Sequence, residues 1–291
     1  MSRVLVLGAD GQLGRELRRV RVPQDITLLF AGRSEIDINS KASVDALTAI
    51  KPDAVINAAA YTAVDKAESE PELAFAINRD APALLAREAA KLGAPLLHIS
   101  TDYVFSGEKS DLYVEGDVKQ PLNVYGRSKS EGEDAVLSRH AGALILRTSW
   151  IHSPFGTNFV KTMLRLGETR DEVRVVADQV GRPTAAGDLA ATCLALVARQ
   201  LVGDAGAKGA LHFANAGKAS WADFAEAIFA ETTSRGRKPV TVTRIVTADY
   251  PTPARRPANS LLDTSKIENE FGIVPRPWRT ALSECVVELL S

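Results

Sequence analysis

The sequence predicts an α/β protein whose main part is a doubly wound parallel sheet with helices on both faces. Short apolar segments alternate with segments of helical pattern through the first half of the chain, and this alternation is typical of parallel sheets. The first apolar segment, residues 3–7, is followed at once by Gly8, Gly11 and Gly14, which lead into a helical pattern. After residue 148 the apolar segments shorten and prolines and glycines cluster, which indicates a second, smaller part.

Each element has a local signal. Short, nearly continuous apolar segments predict buried strands at residues 3–7, 26–30, 54–57, 95–100 and 143–148. Helical patterns predict helices over residues 12–20, 41–51, 72–92, 124–139, 188–199 and 221–232. Pro82 predicts a kink or two pieces in the third helix. Asn39 or Ser40 could cap the second helix, and Ser220 could cap the last.

The glycines after the first strand suggest a phosphate-binding turn. Gly8, Gly11 and Gly14 have the spacing G-x-x-G-x-x-G, which permits a tight turn and close approach of a ligand to the backbone. The N–H groups at the start of the following helix could then contact a pyrophosphate. The alternative is a strand-to-helix turn that binds no ligand.

The end of the second strand bears on the choice of cofactor. In this kind of sheet it faces the ribose of adenosine, where an acidic residue selects NAD. The chain has Arg33 at this position, and a guanidinium could pair with the 2′-phosphate of NADPH instead. The alternative is that Arg33 is only a solvated surface charge.

Small and polar residues follow the third, fourth and fifth strands. Residues 57–62 are mostly small and leave room for a flat ligand at the sheet edge. Thr101 directly follows the fourth strand at the level of the crevice, and Trp150 follows the fifth strand. Residues 108–121 form a polar segment that is long enough to cover a site. These positions predict a crevice at the carboxyl ends of the strands.

Tyr125 and Lys129 lie four residues apart at the start of a predicted helix, and therefore on one face. A nearby ammonium favours the phenolate and is expected to lower the pKa of the tyrosine. A tyrosine of this kind can pass a proton to a substrate oxygen. The pair alone is a weak signal, because this spacing occurs by chance in many helices.

Taken together, residues 1–150 are predicted to form a Rossmann-like dinucleotide-binding domain. Residues 151–291 are predicted to form mainly a smaller, interleaved α/β lobe that binds the substrate. Some segments of the second half are expected to return to the main sheet.

Composition and charge exclude several classes of protein. The chain has 291 residues, of which 45% are hydrophobic and 24% charged, as in a folded soluble protein. Its net charge of −1 argues against a nucleic-acid surface. No apolar segment is long enough to span a bilayer, and no signal peptide is recognised. With Cys193 and Cys285 read as reduced packing residues, a cytoplasmic protein is expected.

These features resemble the extended short-chain dehydrogenase/reductase superfamily, and within it the dTDP-4-dehydrorhamnose reductase family. The resemblance covers nearly the whole chain, and the G-x-x-G-x-x-G spacing is the one that this superfamily uses. The segments that carry the resemblance are residues 8–14, 57–68, 100–105, 125–133, 147–150, 158–164, 178–184 and 256–266.

The resemblance implies an NADPH- or NADH-dependent reduction of the C4 ketone of dTDP-4-dehydro-L-rhamnose, which gives dTDP-L-rhamnose for surface polysaccharide. Tyr125 would protonate the oxygen, Lys129 would hold the nicotinamide ribose and lower the pKa of the tyrosine, and Thr101 would hydrogen-bond the carbonyl. The implied cofactor contacts, besides Arg33, are Gly8, Gly11, Gln12, Leu13, Asp37, Ile38, Ala58, Ala59, Ala60, Tyr125 and Lys129. The implied contacts with the nucleotide sugar are Thr101, Asp102, Tyr103, Trp150 and Asn158.

The chain departs from the family pattern at a few positions. Ser106 stands where many relatives have an aspartate, and His152 where a tyrosine is usual. Some relatives are thought to bind magnesium through glutamates at a dimer contact. Glu16 matches one such position, but Gly187 replaces the second. No metal is therefore expected, and the protein is expected to be a monomer or a homodimer.

Other activities fit less well. The four histidines have no metal-ligand spacing, and Ser100 lacks the G-x-S-x-G context of a hydrolase. A dehydratase would need a glutamate where Tyr103 stands. The remaining alternative is a non-catalytic NADP-binding protein that resembles the regulatory subunit of methionine adenosyltransferase. Cofactor-binding motifs do not separate this alternative from a reductase.

Overall fold

The computed structural model describes residues 1–38, 40, 47–204 and 206–291. In these ranges six strands form one parallel sheet, and the other strands form three two-stranded pairs. The strands, numbered along the chain, are β1 Ser2–Leu7, β2 Ile26–Ala31, β3 Ala54–Asn57, β4 Leu96–Thr101, β5 Leu144–Thr148, β6 Ile151–His152, β7 Glu172–Val176, β8 Val180–Gly181, β9 Thr184–Ala185, β10 Gly209–His212, β11 Ala219–Ser220 and β12 Thr241–Ile245.

Helices connect most of the strands. In the described ranges they are α1 Gln12–Leu17, α2 Leu47–Ile50, α3 Val64–Ala67, α4 Pro71–Phe75, α5 Ala81–Leu92, α6 Val124–Arg139, α7 Phe159–Thr169, α8 Ala186–Leu201, α9 Trp221–Thr233, α10 Ser265–Phe271 and α11 Trp278–Leu290. None of these helices is long and apolar enough to cross a membrane.

The strand order brings the predicted site residues to one edge of the sheet. The order is β10-β5-β4-β3-β1-β2, and all neighbours are parallel. The chain winds outward from β1 to β2, then returns to the other side of β1 and continues from β3 to β10. The winding therefore reverses between β1 and β3, where ligands of such sheets bind beside the carboxyl ends of the strands. The predicted fold class is confirmed.

Side chains of β1 alternate between two apolar cores. Val4 and Val6 pack in the core that α1 and α8 cover, whereas Leu5 and Leu7 pack in the core under α5 and α6. All four are almost completely buried, and each such burial contributes about 1.5–3 kcal/mol. Both faces of the sheet are therefore covered by helices.

A third core lies in the second half of the chain. Strands β7 and β12 pair in parallel, and α7, α9 and α11 pack around the fully buried Phe224. Helix α9 begins at the predicted cap Ser220, whose hydroxyl accepts from Asp223 N while the Asp223 carboxylate accepts from Ser220 N. Strand β10 and helix α8 lie instead with the main sheet. The division into domains at residue 150 stays a prediction.

The structure differs from the sequence prediction at several helices. The first helix ends at Leu17 instead of residue 20. The predicted helix over residues 41–51 and its cap Asn39 lie largely outside the described residues. Within the part of this segment that is described, residues 47–50 are helical. The predicted break in the helix over residues 72–92 is a π-helical turn, Ala76–Asp80, just before Pro82. Because proline has no N–H, the regular hydrogen-bond pattern is interrupted there.

Candidate active site

The glycine turn lies against the end of β3. Gly8 has φ +80°, and a Cβ atom on it would lie 2.7 Å from Ala59 N. A Cβ atom on Gly14 would overlap the carbonyl oxygen of Gly8. Both positions therefore require glycine. Gly11 is exposed at the outer side of the turn, and a Cβ atom added to it would lie 3.4 Å from Gly8 O. This close-packed turn beside the crevice fits a dinucleotide pyrophosphate.

Gln12 and Leu13 follow the turn but point in different directions. The Leu13 side chain is 5% exposed and packs in the core with β1, so only its backbone can contact a cofactor. Gln12 Oε1 accepts a hydrogen bond from Asn158 Nδ2 at 2.9 Å. Asn158 Nδ2 also donates to Ser153 O, while its Oδ1 caps α7. Asn158 therefore connects the glycine turn to the second half of the chain.

Charges of both signs lie after β2. Arg33 is exposed, and its Nε lies 3.8 Å from Asp37 Oδ2. The Glu35 carboxylate accepts a hydrogen bond from Gly32 N at 2.8 Å. The hydrogen bonds from Ser34 and Gly32 hold the pKa of Glu35 below its ordinary value, so the carboxylate is charged at neutral pH. Arg33 is therefore an exposed cation beside acidic groups. The predicted adenine contact Ile38 is buried in the core under α5 and α6.

The end of β3 is fixed by Asn57. This residue is fully buried, and its Oδ1 accepts from Ala59 N at 3.1 Å. The predicted cofactor contacts Ala58, Ala59 and Ala60 are half-buried along the crevice. Their small side chains leave the space that the sequence predicts.

Thr101 ends β4 and caps a short 3₁₀ turn, Asp102–Val104. Its Oγ1 accepts from Tyr103 N at 3.2 Å and donates to Asp102 Oδ1 at 2.8 Å. Asp102 is 2% exposed, and burial raises its pKa to about 6. Ser260 and Thr101 act against this rise. The Tyr103 ring packs edge-on against Tyr125, with the ring centroids 5.5 Å apart.

Tyr125 lies in the first turn of α6, which Asn123 caps by accepting from Gly126 N at 2.7 Å. Burial raises the pKa of Tyr125 to about 12, and a hydrogen bond with Thr101 opposes this rise only in part. Tyr125 and Thr101 are therefore brought together, as the sequence predicts. The prediction that Lys129 lowers the pKa of Tyr125 is wrong for this arrangement, because burial dominates.

Lys129 is turned toward β4. It is 2% exposed, and its Nζ donates to Ile99 O at 2.6 Å and lies 3.3 Å from His98 Nε2. Burial lowers the pKa of Lys129 to about 8. The lysine therefore lies in the predicted site, but it is bound to strand β4 beneath the crevice.

A buried ion pair supports the catalytic helix from below. Glu133, one turn after Lys129, accepts from Arg147 Nε and Nη2 at 2.9 and 2.7 Å. It also accepts from Ser100 Oγ at 2.6 Å. Burial acts to raise the pKa of Glu133, but the hydrogen bonds and charge of Arg147 outweigh it and keep the pKa below its ordinary value. The hydrogen bonds of Glu133 with Arg147 and Ser100 therefore connect α6 to β5 and β4.

Asn78, in the π turn, is a second support that sequence reasoning missed. It is fully buried, and its amide donates to Ser128 Oγ and Tyr61 O, both at 3.0 Å. Its Oδ1 accepts from Tyr61 N at 2.8 Å. The π turn thus joins the segment after β3 to α6. Polar residues within apolar patterns, such as Asn78 and His98, are the signal that could have revealed these contacts.

Trp150 lies after β5 and has φ +47°, which is uncommon for a residue other than glycine. Its ring stacks on Trp221, with the centroids 3.5 Å apart and the planes 6° from parallel. One face of the indole is therefore used in packing. Trp221 also lines a cavity of about 780 Å³, together with Met163, Tyr250 and Arg256.

Glu16 and Gly187 are neighbours. A Cβ atom on Gly187 would lie 3.7 Å from Glu16 Oε2, and Glu16 Oε1 accepts from Ser153 Oγ at 2.7 Å. Within the described part of the chain, no three His, Cys, Asp or Glu residues are grouped so that they could hold a metal ion.

Comparison with known proteins agrees with this geometry. The family model for the RmlD substrate binding domain matches residues 2–291. A dTDP-4-dehydrorhamnose reductase from Sinorhizobium fredii is 46% identical over 290 residues, which cover 99% of this chain and 98% of that protein.

Solved structures show the same similarity. A dTDP-4-dehydrorhamnose reductase from Clostridium acetobutylicum matches with a TM-score of 0.92 and 39% identity, over 99% of this chain and 100% of that one. The enzyme from Bacillus anthracis, in complex with NADP, matches with a TM-score of 0.91 and 36% identity, over 99% of both chains. The chain therefore belongs to the RmlD substrate-binding-domain family, that of the dTDP-4-dehydrorhamnose reductases, as the sequence predicts.

Proposed function

We propose that this protein is a reductase that uses NADPH to convert dTDP-4-dehydro-L-rhamnose to dTDP-L-rhamnose. One observation carries the proposal: Thr101 and Tyr125 come together at the carboxyl edge of the sheet, at the end of the strand next to β3, and Lys129 is held against β4 beneath them. The full-length similarity to reductases of this name supports it. A cytoplasmic location and a monomeric or homodimeric state remain part of the proposal.

Tyr125 is suited to protonate the ketone oxygen. The bound nicotinamide supplies the hydride, and negative charge then develops on this oxygen. With a pKa of about 12, the tyrosine is protonated at neutral pH and can donate to the developing alkoxide. A phenol held in this way acts as an acid without first becoming a phenolate.

Thr101 can play one of two roles, because its hydroxyl has a single proton. In the structure this proton is donated to Asp102 Oδ1. In this state Thr101 can position Tyr125 by accepting from it, but it does not donate to a ketone. A rotation of the hydroxyl away from Asp102 would let it donate to the substrate oxygen.

The cavity in the second half of the chain suits the nucleotide part of the substrate. Its aromatic lining offers faces for a base or a sugar. Arg256, at one end, is held by Asp65 with a distance of 2.8 Å between Nη2 and Oδ2. A guanidinium there can bind a diphosphate. Asp102, Tyr103, Trp150 and Asn158 remain the proposed contacts with the nucleotide sugar.

The first test is substrate discrimination. The purified protein should oxidise NADPH with dTDP-4-dehydro-L-rhamnose and show essentially no reaction with the free 4-keto sugar. The reason is that binding energy from the remote nucleotide orients the reacting carbonyl. Nicotinamide absorbance measures both reactions. A protein that binds NADPH, turns over no 4-keto sugar nucleotide and co-purifies with another enzyme would instead be a regulatory subunit.

The second test concerns the choice between NADPH and NADH. Arg33→Ala should raise KM for NADPH roughly tenfold or more, since a charge-assisted hydrogen bond contributes about 1.5–3 kcal/mol. KM for NADH should hardly change. Arg139→Ala, at the exposed end of α6, is the control for loss of one positive charge. Equal effects of Arg33→Ala on both cofactors would mean that Arg33 does not contact the 2′-phosphate.

A further inference from the structure

A buried polar chain runs beneath the active site, from β3 through β4 to α6. Asn57 Nδ2 lies 3.0 Å from His98 Nδ1, and His98 Nε2 lies 3.3 Å from Lys129 Nζ. Asn57 and His98 are completely buried, and Lys129 is 2% exposed. Among these residues only Lys129 has a part in the proposed reaction. The role of His98 is therefore open.

The orientation of Asn57 determines which nitrogen of His98 carries a proton. Asn57 Oδ1 accepts from Ala59 N at 3.1 Å, so its amide nitrogen must be the atom that faces His98. An amide nitrogen only donates, and His98 Nδ1 is therefore an acceptor. Burial is the main cause that holds the pKa of His98 well below its ordinary value. The ring is thus neutral, with its proton on Nε2.

This tautomer restricts the charge of Lys129. His98 Nε2–H points at Lys129 Nζ, and an ammonium group has no lone pair with which to accept that proton. An uncharged amine can accept from His98 and still donate one N–H to Ile99 O, which lies 2.6 Å away. The observed contacts are all satisfied only by the amine.

We propose that His98 is a positioning residue that holds Lys129 as an uncharged amine in the free protein under mildly alkaline conditions. Lys129 then takes up a proton when it leaves His98 for the ribose of the bound dinucleotide. This second step rests on the proposed function, whereas the first concerns the free protein alone.

The charges around Lys129 are compatible with an amine. Glu133, on the same helix, favours the ammonium, but its carboxylate is already paired with Arg147 of β5. Tyr125, on the same helix, is neutral, and β4 contributes only His98 as a titratable group near Nζ. Without a neighbouring ammonium, only the hydrogen bond with Thr101 opposes the effect of burial on the pKa of Tyr125, which agrees with its raised value. Cofactor binding would then supply the charge that tunes the tyrosine.

The free protein provides a direct test by NMR of ¹⁵N-labelled histidine side chains. The chain has four histidines, so the signals can be assigned with one variant of each. We expect His98 to be neutral and protonated on Nε2, and its Nε2 signal to shift as Lys129 titrates near pH 8. The shift should vanish in Lys129→Met. A proton on Nδ1, or a His98 signal that ignores Lys129, would overturn the proposal.

The second step is tested by proton uptake on NADPH binding, measured calorimetrically around pH 8 in buffers of different ionisation enthalpy. In His98→Asn the new carbonyl oxygen can still accept from Asn57, but the Nε2–H is lost. Lys129 should then be charged before the cofactor binds, so proton uptake should fall by at least half. Unchanged uptake in His98→Asn would refute this step.

His212→Asn is the matched control. His212 is also completely buried, and its Nε2 lies 3.3 Å from a cation, Arg147 Nη1. This variant should take up protons as the wild type does, and an equal loss in both variants would contradict a specific role of His98. If the protein binds no NADPH, the proposed function fails, yet the NMR experiment still decides the charge of Lys129. If His98→Asn does not fold, the NMR experiment on the wild type still decides whether Lys129 is charged in the free protein.

Discussion

Tyr125→Phe is expected to reduce kcat about 10²-fold or more, which is the usual contribution of a positioned acid. The substitution removes one hydroxyl and almost no volume, so the ring should still pack edge-on against Tyr103. The affinity for NADPH should hardly change, because the glycine turn and Lys129 remain. The measurement is turnover of dTDP-4-dehydro-L-rhamnose with saturating NADPH.

Tyr113→Phe is a suitable control for this experiment. Tyr113 is 4% exposed, and its hydroxyl accepts from Lys109 N at 3.2 Å, outside the proposed site. Its loss should leave kcat near the wild-type value. If Tyr125→Phe kept near-normal turnover as well, another group would have to supply the proton.

Glu133→Gln is expected to lower the free energy of unfolding by about 3–5 kcal/mol, as when one partner of a buried ion pair is removed. An amide cannot replace the charge, so Arg147, which is 4% exposed, is left as an uncompensated buried cation. Urea denaturation of the free protein measures the effect. Because the pKa of Glu133 is lowered by folding, its contribution is present above the ordinary glutamate pKa and is lost as pH falls through the folded value.

Glu131→Gln provides the comparison on the same helix. Glu131 pairs at the surface with Arg79, with both side chains at least 38% exposed, and such pairs contribute about 0–1 kcal/mol. If the two variants lost similar amounts of unfolding free energy, burial of the ion pair between Glu133 and Arg147 would add nothing to stability.

The parts of the fold that follow from local signals could be predicted from the sequence. Helix α6 covers residues 124–139 as predicted, and Asn123 caps its start. The glycine turn and the ends of β3, β4 and β5 also lie where their spacing indicates. The first helix was predicted too long, since the chain turns away after Leu17.

The surroundings of the site residues could not be predicted in this way. The contact of His98 with Asn57 joins residues 41 positions apart, and that of Asn78 with Ser128 joins residues 50 apart. The sequence shows Asn78 and His98 as polar residues within apolar patterns, but it does not identify their distant partners. The raised pKa of Tyr125 likewise depends on burial by distant segments, and so does the direction in which Lys129 points. The stacking of Trp150 on Trp221 is a further long-range contact of this kind.

The position of β10 has a consequence for synthesis on the ribosome. This strand pairs with β5 through residues 209–212, so the edge of β5 stays unpaired until the second half of the chain has emerged. The segment Leu144-Ile145-Leu146 is completely buried in the finished protein, and an open apolar strand edge promotes aggregation. The nascent chain therefore exposes an unpaired, aggregation-prone strand edge while the residues between β5 and β10 are translated. Recruitment of a chaperone during this interval would protect a chain that needs no such help once β10 has joined the sheet.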